Sequence, residues 1–157
     1  MASYNEYKID LVKVVDGDTV DADIHLGFGV CLKNERVRVV GIDTPESRTS
    51  DDVEKLFGLA AKRRLIELLE EGGVLVTTES SSGEDMRGKF GRVLGDFRLE
   101  SSGRLVTDVL IEEGHGVAYH GGSKSPIRQR HLENRTRLLR DGLVEMSEYL
   151  ARGGTPV

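Results

Sequence analysis

The chain has a single cysteine, Cys31, in 157 residues, so no intrachain disulfide can form and a reducing compartment is allowed. Aromatic residues make up only 5%, which argues against a surface that holds strings of bases by stacking. No apolar run approaches the roughly 20 residues that span a bilayer. Met1 to Tyr7 lacks the apolar stretch of a signal peptide, so the expected location is cytoplasmic or otherwise intracellular, away from membranes. The net charge is -5, from 22 basic and 27 acidic residues, which excludes a protein that coats polyanions through a large basic surface. A small local phosphate site is still compatible with that total.

What is present is a moderately polar globular composition, 38% hydrophobic and 31% charged, with 19 glycines that imply many tight turns. The length suits one domain with a core of its own, expected as a monomer over residues 1–157. Tyr7 to Val15 and Thr19 to Leu26 alternate apolar and polar residues and predict strands joined by the turn Asp16-Gly17-Asp18. After a bend at Gly27-Phe28-Gly29, Val30 to Leu32 leads through a Lys33-Asn34 turn into a strand over Arg36 to Ile42. Helical spacing marks Val53 to Glu71, stopped by Gly72-Gly73. Strands follow at Val74 to Thr78 and Val93 to Leu99, separated by a polar loop over Ser80 to Gly88. Helices are predicted over Leu105 to Glu113 and from Ser125-Pro126 to about Asp141, with a further turn or two over Leu143 to Leu150. The β-β-β-α-β-β-α-α order points to an α+β fold, a five-stranded antiparallel OB-type β-barrel with three helices.

Three short segments concentrate chemistry. Asp16-Gly17-Asp18-Thr19 and Asp43-Thr44-Pro45-Glu46 are carboxylate-rich turns, and Lys89-Phe90-Gly91-Arg92 is a basic turn opening a strand. Each alone reads as an ordinary turn. Upstream of the second, Arg36 and Arg38 share one face of a strand. Spacing alone does not choose between them. Carboxylates and carbonyl oxygens suit a hard cation such as calcium or magnesium, not zinc. Arginine offers paired planar donors that match a phosphate.

Taken together and in order, Asp16-Gly17-Asp18-Thr19, Arg38 five residues before Asp43-Thr44-Pro45-Glu46, and Lys89-Phe90-Gly91-Arg92 resemble the motifs of the staphylococcal nuclease family. The resemblance covers about residues 9–140, leaving 143–157 as a C-terminal extension. It implies a calcium-dependent phosphodiesterase, an endonuclease acting on DNA and RNA with a preference for single strands. It implies Ca2+ ligands at Asp18, Asp43 and the carbonyl of Thr44. It further implies Glu46 as the residue acting on the attacking water and Arg38 and Arg92 as the phosphate clamp. Asp16 then lies behind the metal or bridges to it through water, while Lys89, Phe90 and Tyr119 line the substrate. Where the best-known members carry tyrosine, this chain has Phe90, which removes a hydroxyl from the substrate's reach. The spacing to Asp43 in that family favours Arg38 as the phosphate arginine, and Arg36 is expected at the surface, where strand arginines are commonplace.

Other features have plainer readings. His25, His115, His120 and His131 lack zinc-ligand spacing and are expected mostly at the surface or in loops. Lys124, Arg128, Arg130, Arg135, Arg137 and Arg140 along the last long helix form a solvated face or a supplementary track for a nucleic-acid backbone. Two functional alternatives remain open to the sequence: an OB-type module that binds single-stranded nucleic acid without cutting it, and an interaction protein whose acidic turns bind calcium structurally.

Overall fold

The computed structural model describes residues 4–78 and 91–157. Five strands close a barrel in the order β1 (Tyr4–Asp16), β2 (Thr19–Gly27), β3 (Val30–Val39), β6 (Val93–Leu99) and β5 (Gly73–Thr78). A two-stranded pair, β4 (Ile42–Asp43) with β7 (Val117–Ala118), lies apart from it. The helices are α1 (Asp52–Glu70), α2 (Val106–Glu113), α3 (Ser125–Arg140) and α4 (Met146–Ala151). The three expected helices are thus joined by a fourth, short one. No helix among the described residues is long and apolar enough to cross a membrane.

The barrel is not antiparallel throughout. β1·β2, β2·β3, β1·β5 and β5·β6 are antiparallel, but β3 and β6 run parallel, pairing Val37 with Val93 and Val39 with Gly95. The reason is arithmetic. In a closed ring with an odd number of strands, direction cannot alternate at every step, so one pair must be parallel. The parallel neighbours are the two separated by the long crossover through α1 and β5, as parallel pairing requires. A second difference lies in β3, which is continuous across the expected Lys33-Asn34 turn. Asn34 takes a left-handed backbone, φ 50°, and its N–H donates to Asp23 Oδ1 at 2.7 Å, so the irregularity is a bulge inside a strand.

The period-two pattern of the strands fills the barrel. Val20, Ala22 and Ile24 from β2, Val37 and Val39 from β3, and Phe97 and Leu99 from β6 are buried there. Leu65, Leu68 and Leu69 of α1 and Val106, Val109 and Leu110 of α2 complete this core. α1 also serves a second cluster. Its amino-terminal half places Leu56, Phe57 and Ala60 against Leu138 and Leu139 of α3, Val144, and Tyr149 of α4. Tyr149 meets Phe57 edge-on, with ring centroids 6.0 Å apart. Asp51 caps α1, its Oδ1 accepting from the N–H groups of Val53 and Glu54 at 3.1 Å each.

One carboxylate of the framework carries a pH signature. Asp96 on β6 accepts a hydrogen bond from the Thr107 hydroxyl on α2 and one from the Phe97 N–H at 2.8 Å. Burial outweighs these bonds and raises its pKa to about 6. Unfolded, the same group titrates near 3.9. The folded chain therefore holds a proton that the unfolded chain has released, and stability contributed below about pH 4 is lost as pH rises through about 6. Asp96→Asn removes this dependence. Relative to the variant, the wild-type chain is expected to lose roughly 2 kcal/mol between pH 4 and 7, measured by urea denaturation at each pH.

Candidate active site

The β1–β2 turn and the chain leaving β3 meet at one end of the barrel. The Val39 N–H donates to the carbonyl of Asp18 at 2.8 Å, and the Thr44 N–H reaches Asp18 Oδ2 at 3.4 Å. Arg38 locks the same corner. Its guanidinium donates to the carbonyls of Val39 and Ile42, the latter at 2.9 Å, and lies 3.5 Å from Asp18 Oδ2. Asp16 holds the next stretch, accepting from both the N–H and the hydroxyl of Ser47, with Arg48 at 3.8 Å.

α1 is the floor beneath both acidic segments. At Gly58 an added Cβ would lie 2.7 Å from the Ser47 nitrogen and closer still to the Glu46 carbonyl. At Gly17 it would lie 2.8 Å from the Ala61 Cβ and 2.9 Å from Thr44 Oγ1. Small residues on the turn and on the helix thus set how far the segments stand from α1.

Above this floor opens a cavity of about 760 Å³. Among the described residues, four carboxylates line it, from Asp16, Asp18, Asp43 and Glu46. Five cationic side chains line it with them, from Arg36, Arg38, Arg48, Arg92 and Lys124, with Tyr119 on the wall. Thr44 lines an adjoining cavity of about 220 Å³ that shares Asp43, Glu46 and Lys124. Of the residues expected at the site, Asp16, Asp18, Arg38, Asp43, Glu46, Arg92 and Tyr119 therefore share one cavity, with Thr44 next to it. Lys89 and Phe90 lie outside the described residues, as does the whole of the expected polar loop over Ser80 to Gly88.

The charges are not equivalent. Burial raises the pKa of Glu46, and the neighbouring charges of Asp16, Asp18 and Asp43 raise it further, against Lys124. Burial also pushes Asp43 upward, but hydrogen bonds from His131 and Lys124 outweigh it and leave its carboxyl below the ordinary value. Their nitrogens stand 2.8 and 3.0 Å from its oxygens. Arg36, read from sequence as a surface residue, has its side chain 45% exposed yet is committed to a forked pair with buried Asp21, at 2.8 and 3.1 Å.

His115 lies in the loop after α2, as expected, though buried. His131 departs from expectation, being inside α3 and 17% exposed with its ring on Asp43. The sequence held a signal for it. Ile127, His131 and Leu138 recur at helical spacing on the inward stripe of α3, where a histidine points at the fold. The basic residues of α3 divide as well. Arg137 donates to the carbonyls of Ile111 and Glu112 at the end of α2, Arg135 lies 5.3 Å from the Phe57 ring, and Arg140 pairs with Asp141. Only Lys124 of that set reaches the larger cavity.

The donor set bears on a metal. Among the described residues, no three His, Cys, Asp or Glu side chains converge as a ready-made cage. The carboxylates of Asp18 and Asp43 and the carbonyl of Thr44 supply oxygen only, which fits a hard divalent cation completed by water and substrate. The mutual repulsion raised at Glu46 is the local charge imbalance that such a cation relieves. The Thr44 hydroxyl oxygen is buried and meets no hydrogen-bond partner among the described residues.

Comparison with known proteins places the chain in a family. The family described as Staphylococcal nuclease homologue matches residues 36–143. The chain belongs to the staphylococcal nuclease family. Among curated relatives, it is 30% identical over 112 residues to "Endonuclease YncB" of Bacillus subtilis (strain 168), covering 71% of this chain and 48% of that one. It is also 30% identical over 112 residues to "SPbeta prophage-derived endonuclease YokF" of the same organism, covering 71% of this chain and 34% of that one. This staphylococcal nuclease homologue thus spans about half and about a third of the curated relatives it matches.

In this member of the family, the tight fit at α1 makes an unusual stability prediction. Glycine to alanine inside a helix ordinarily stabilises by about 1 kcal/mol. Gly58→Ala is expected to do the reverse and destabilise by about 1–3 kcal/mol, because the new methyl drives into the Glu46–Ser47 peptide. Chemical denaturation gives the sign directly.

Proposed function

We propose that the chain is a calcium-dependent nuclease that hydrolyses phosphodiester bonds of DNA and RNA and prefers single strands. The observation that carries the reading is the gathering of Asp18, Asp43, Glu46, Arg38 and Arg92 around one cavity. A single-stranded backbone reaches a recessed cavity more easily than a duplex does.

In this reading Asp18, Asp43 and the Thr44 carbonyl hold Ca2+, which, when bound, polarises the phosphoryl oxygen and offsets the negative charge that builds on it. Glu46 takes the proton from the attacking water at its carboxylate. It must be ionised to act, and a cation held beside it would favour that form over the raised pKa it has without metal. Arg92 donates to the phosphate oxygens through its planar fork. Arg38 does the same from a guanidinium already fixed by two backbone carbonyls, so little reorganisation is needed when charge develops. Asp16 keeps the Glu46 loop in place through Ser47. Tyr119, whose hydroxyl donates to the Gly122 carbonyl, offers its ring to the sugar or base. Lys89 and Phe90 extend the substrate contacts.

The purified chain is expected to cut single-stranded DNA in calcium at alkaline pH and to stop in chelator. Binding of single strands in calcium without turnover would replace this reading with that of a binding module. Glu46→Gln is expected to lower kcat by about 10²–10⁴-fold. Arg92→Lys is expected to lower it as well, because the charge stays and the fork is lost. Both variants should keep the wild-type circular dichroism spectrum. The rising limb of kcat/KM against pH should follow loss of the Glu46 proton and disappear in Glu46→Gln.

A further inference from the structure

We propose that His131 of α3 is a positioning residue for Asp43, fixing that carboxylate so that one oxygen is offered to a divalent cation. The inference rests on the calcium-dependent reading above and adds α3 to the parts that set metal affinity.

The two oxygens of Asp43 are treated differently. Oδ2 faces the His131 Nε2 at 2.8 Å, and the imidazole is only 17% exposed. Oδ1 faces the Lys124 ammonium at 3.0 Å, and that side chain is 57% exposed. An ionised carboxylate accepts, so Nε2 carries the proton and donates. The Oδ2 partner sits in the body of a helix. The Oδ1 partner stands at its edge, after the loop that contains Gly121 and Gly122, both with left-handed φ. The imidazole is therefore the fixed support and the ammonium the exchangeable one.

α3 does not need this bond to stay docked. Ile127, Leu138 and Leu139 are buried. Arg137 closes the end of α2, and Asn134 Nδ2 donates to the Gly116 carbonyl at 3.3 Å. As a whole, a buried carboxylate–imidazole pair adds little net stability, because both groups give up hydration, although removing the imidazole alone leaves a buried carboxylate less well paired. What the pair does supply is direction. With Oδ2 held, rotation of the carboxylate is blocked and Oδ1 stays turned to the side that Lys124 occupies. Partners that orient metal-binding side chains commonly change metal affinity by about 10–100-fold when removed.

The test is a calcium titration of the full chain, followed by calorimetry and by the rise in melting temperature, on wild type, His131→Ala and His131→Gln. A glutamine amide nitrogen can reach the place of Nε2. The expected result is a calcium midpoint about 10–100-fold higher for His131→Ala and largely restored for His131→Gln, with both variants still folding cooperatively in chelator. Excess calcium should recover the cutting rate of His131→Ala, and KM for an oligonucleotide at saturating calcium should match wild type. A wild-type chain that binds calcium and cuts, with an unchanged midpoint in His131→Ala, overturns the positioning role alone. Variants that both lose melting temperature in chelator but keep the wild-type midpoint overturn it too, leaving His131 as structural support. A wild-type chain indifferent to calcium in melting, calorimetry and cutting overturns the function proposed above and this role with it.

Discussion

Gly58 lets α1 press against the Glu46–Ser47 peptide more closely than any side chain would permit, and the rest of the site depends on that contact. Three residues along the helix, Ala61 performs the same service for the turn at Gly17. Two acidic segments that are distant in sequence are thereby referred to one rigid surface. They then fasten to each other through the Thr44 N–H on Asp18 and through Ser47 on Asp16. The geometry of four carboxylates follows from helix packing first and from polar bonds second. That order is sensible physically, since dispersion and volume exclusion act over short distances and do not weaken with salt.

The polar layer would be costly without its internal cancellation. Asp21 is answered by Arg36, Asp18 by Arg38 and Thr19, Asp16 by Ser47 and Arg48, and Asp43 by Lys124 and His131. Glu46 is the exception in its proton affinity, lifted by burial and by the charge of the others. In the proposed mechanism this keeps the group that would exchange a proton distinct from those that would hold the cation. The acidic total of the whole chain hides this local balance, which is why overall charge says little about the cavity.

Much of this was legible in the sequence. Period two in β2 and β6, period 3.6 in α1, and the glycine after α2 located those elements within a residue or two. Of the residues in the three motifs, Asp16, Asp18, Thr19, Asp43, Glu46 and Arg92 line one cavity. Other features needed spatial context. The parallel β3–β6 pair follows from an odd strand count in a closed ring, a property of the whole barrel and of no one segment. The Lys33-Asn34 irregularity looked like a strand break because turns and bulges use the same residues. Arg36 resembled a surface arginine until Asp21, fifteen residues earlier, was seen to face it across the β2–β3 ladder. His131 escaped a search for zinc spacing because its partner is a carboxylate 88 residues away.

The double duty of α1 has a consequence for how the molecule breathes. Phe57 and Gly58 are adjacent, one turned to Tyr149 and the other to Glu46. The carboxyl-terminal segment is fastened to the same place, with the Tyr149 hydroxyl on the Thr155 carbonyl at 2.8 Å. Loosening the tail frees the helix at the turn where the acidic loop is seated. Fraying at residues 146–155 is thereby expected to open together with the Glu46 loop, and amide exchange should report a shared free energy for both.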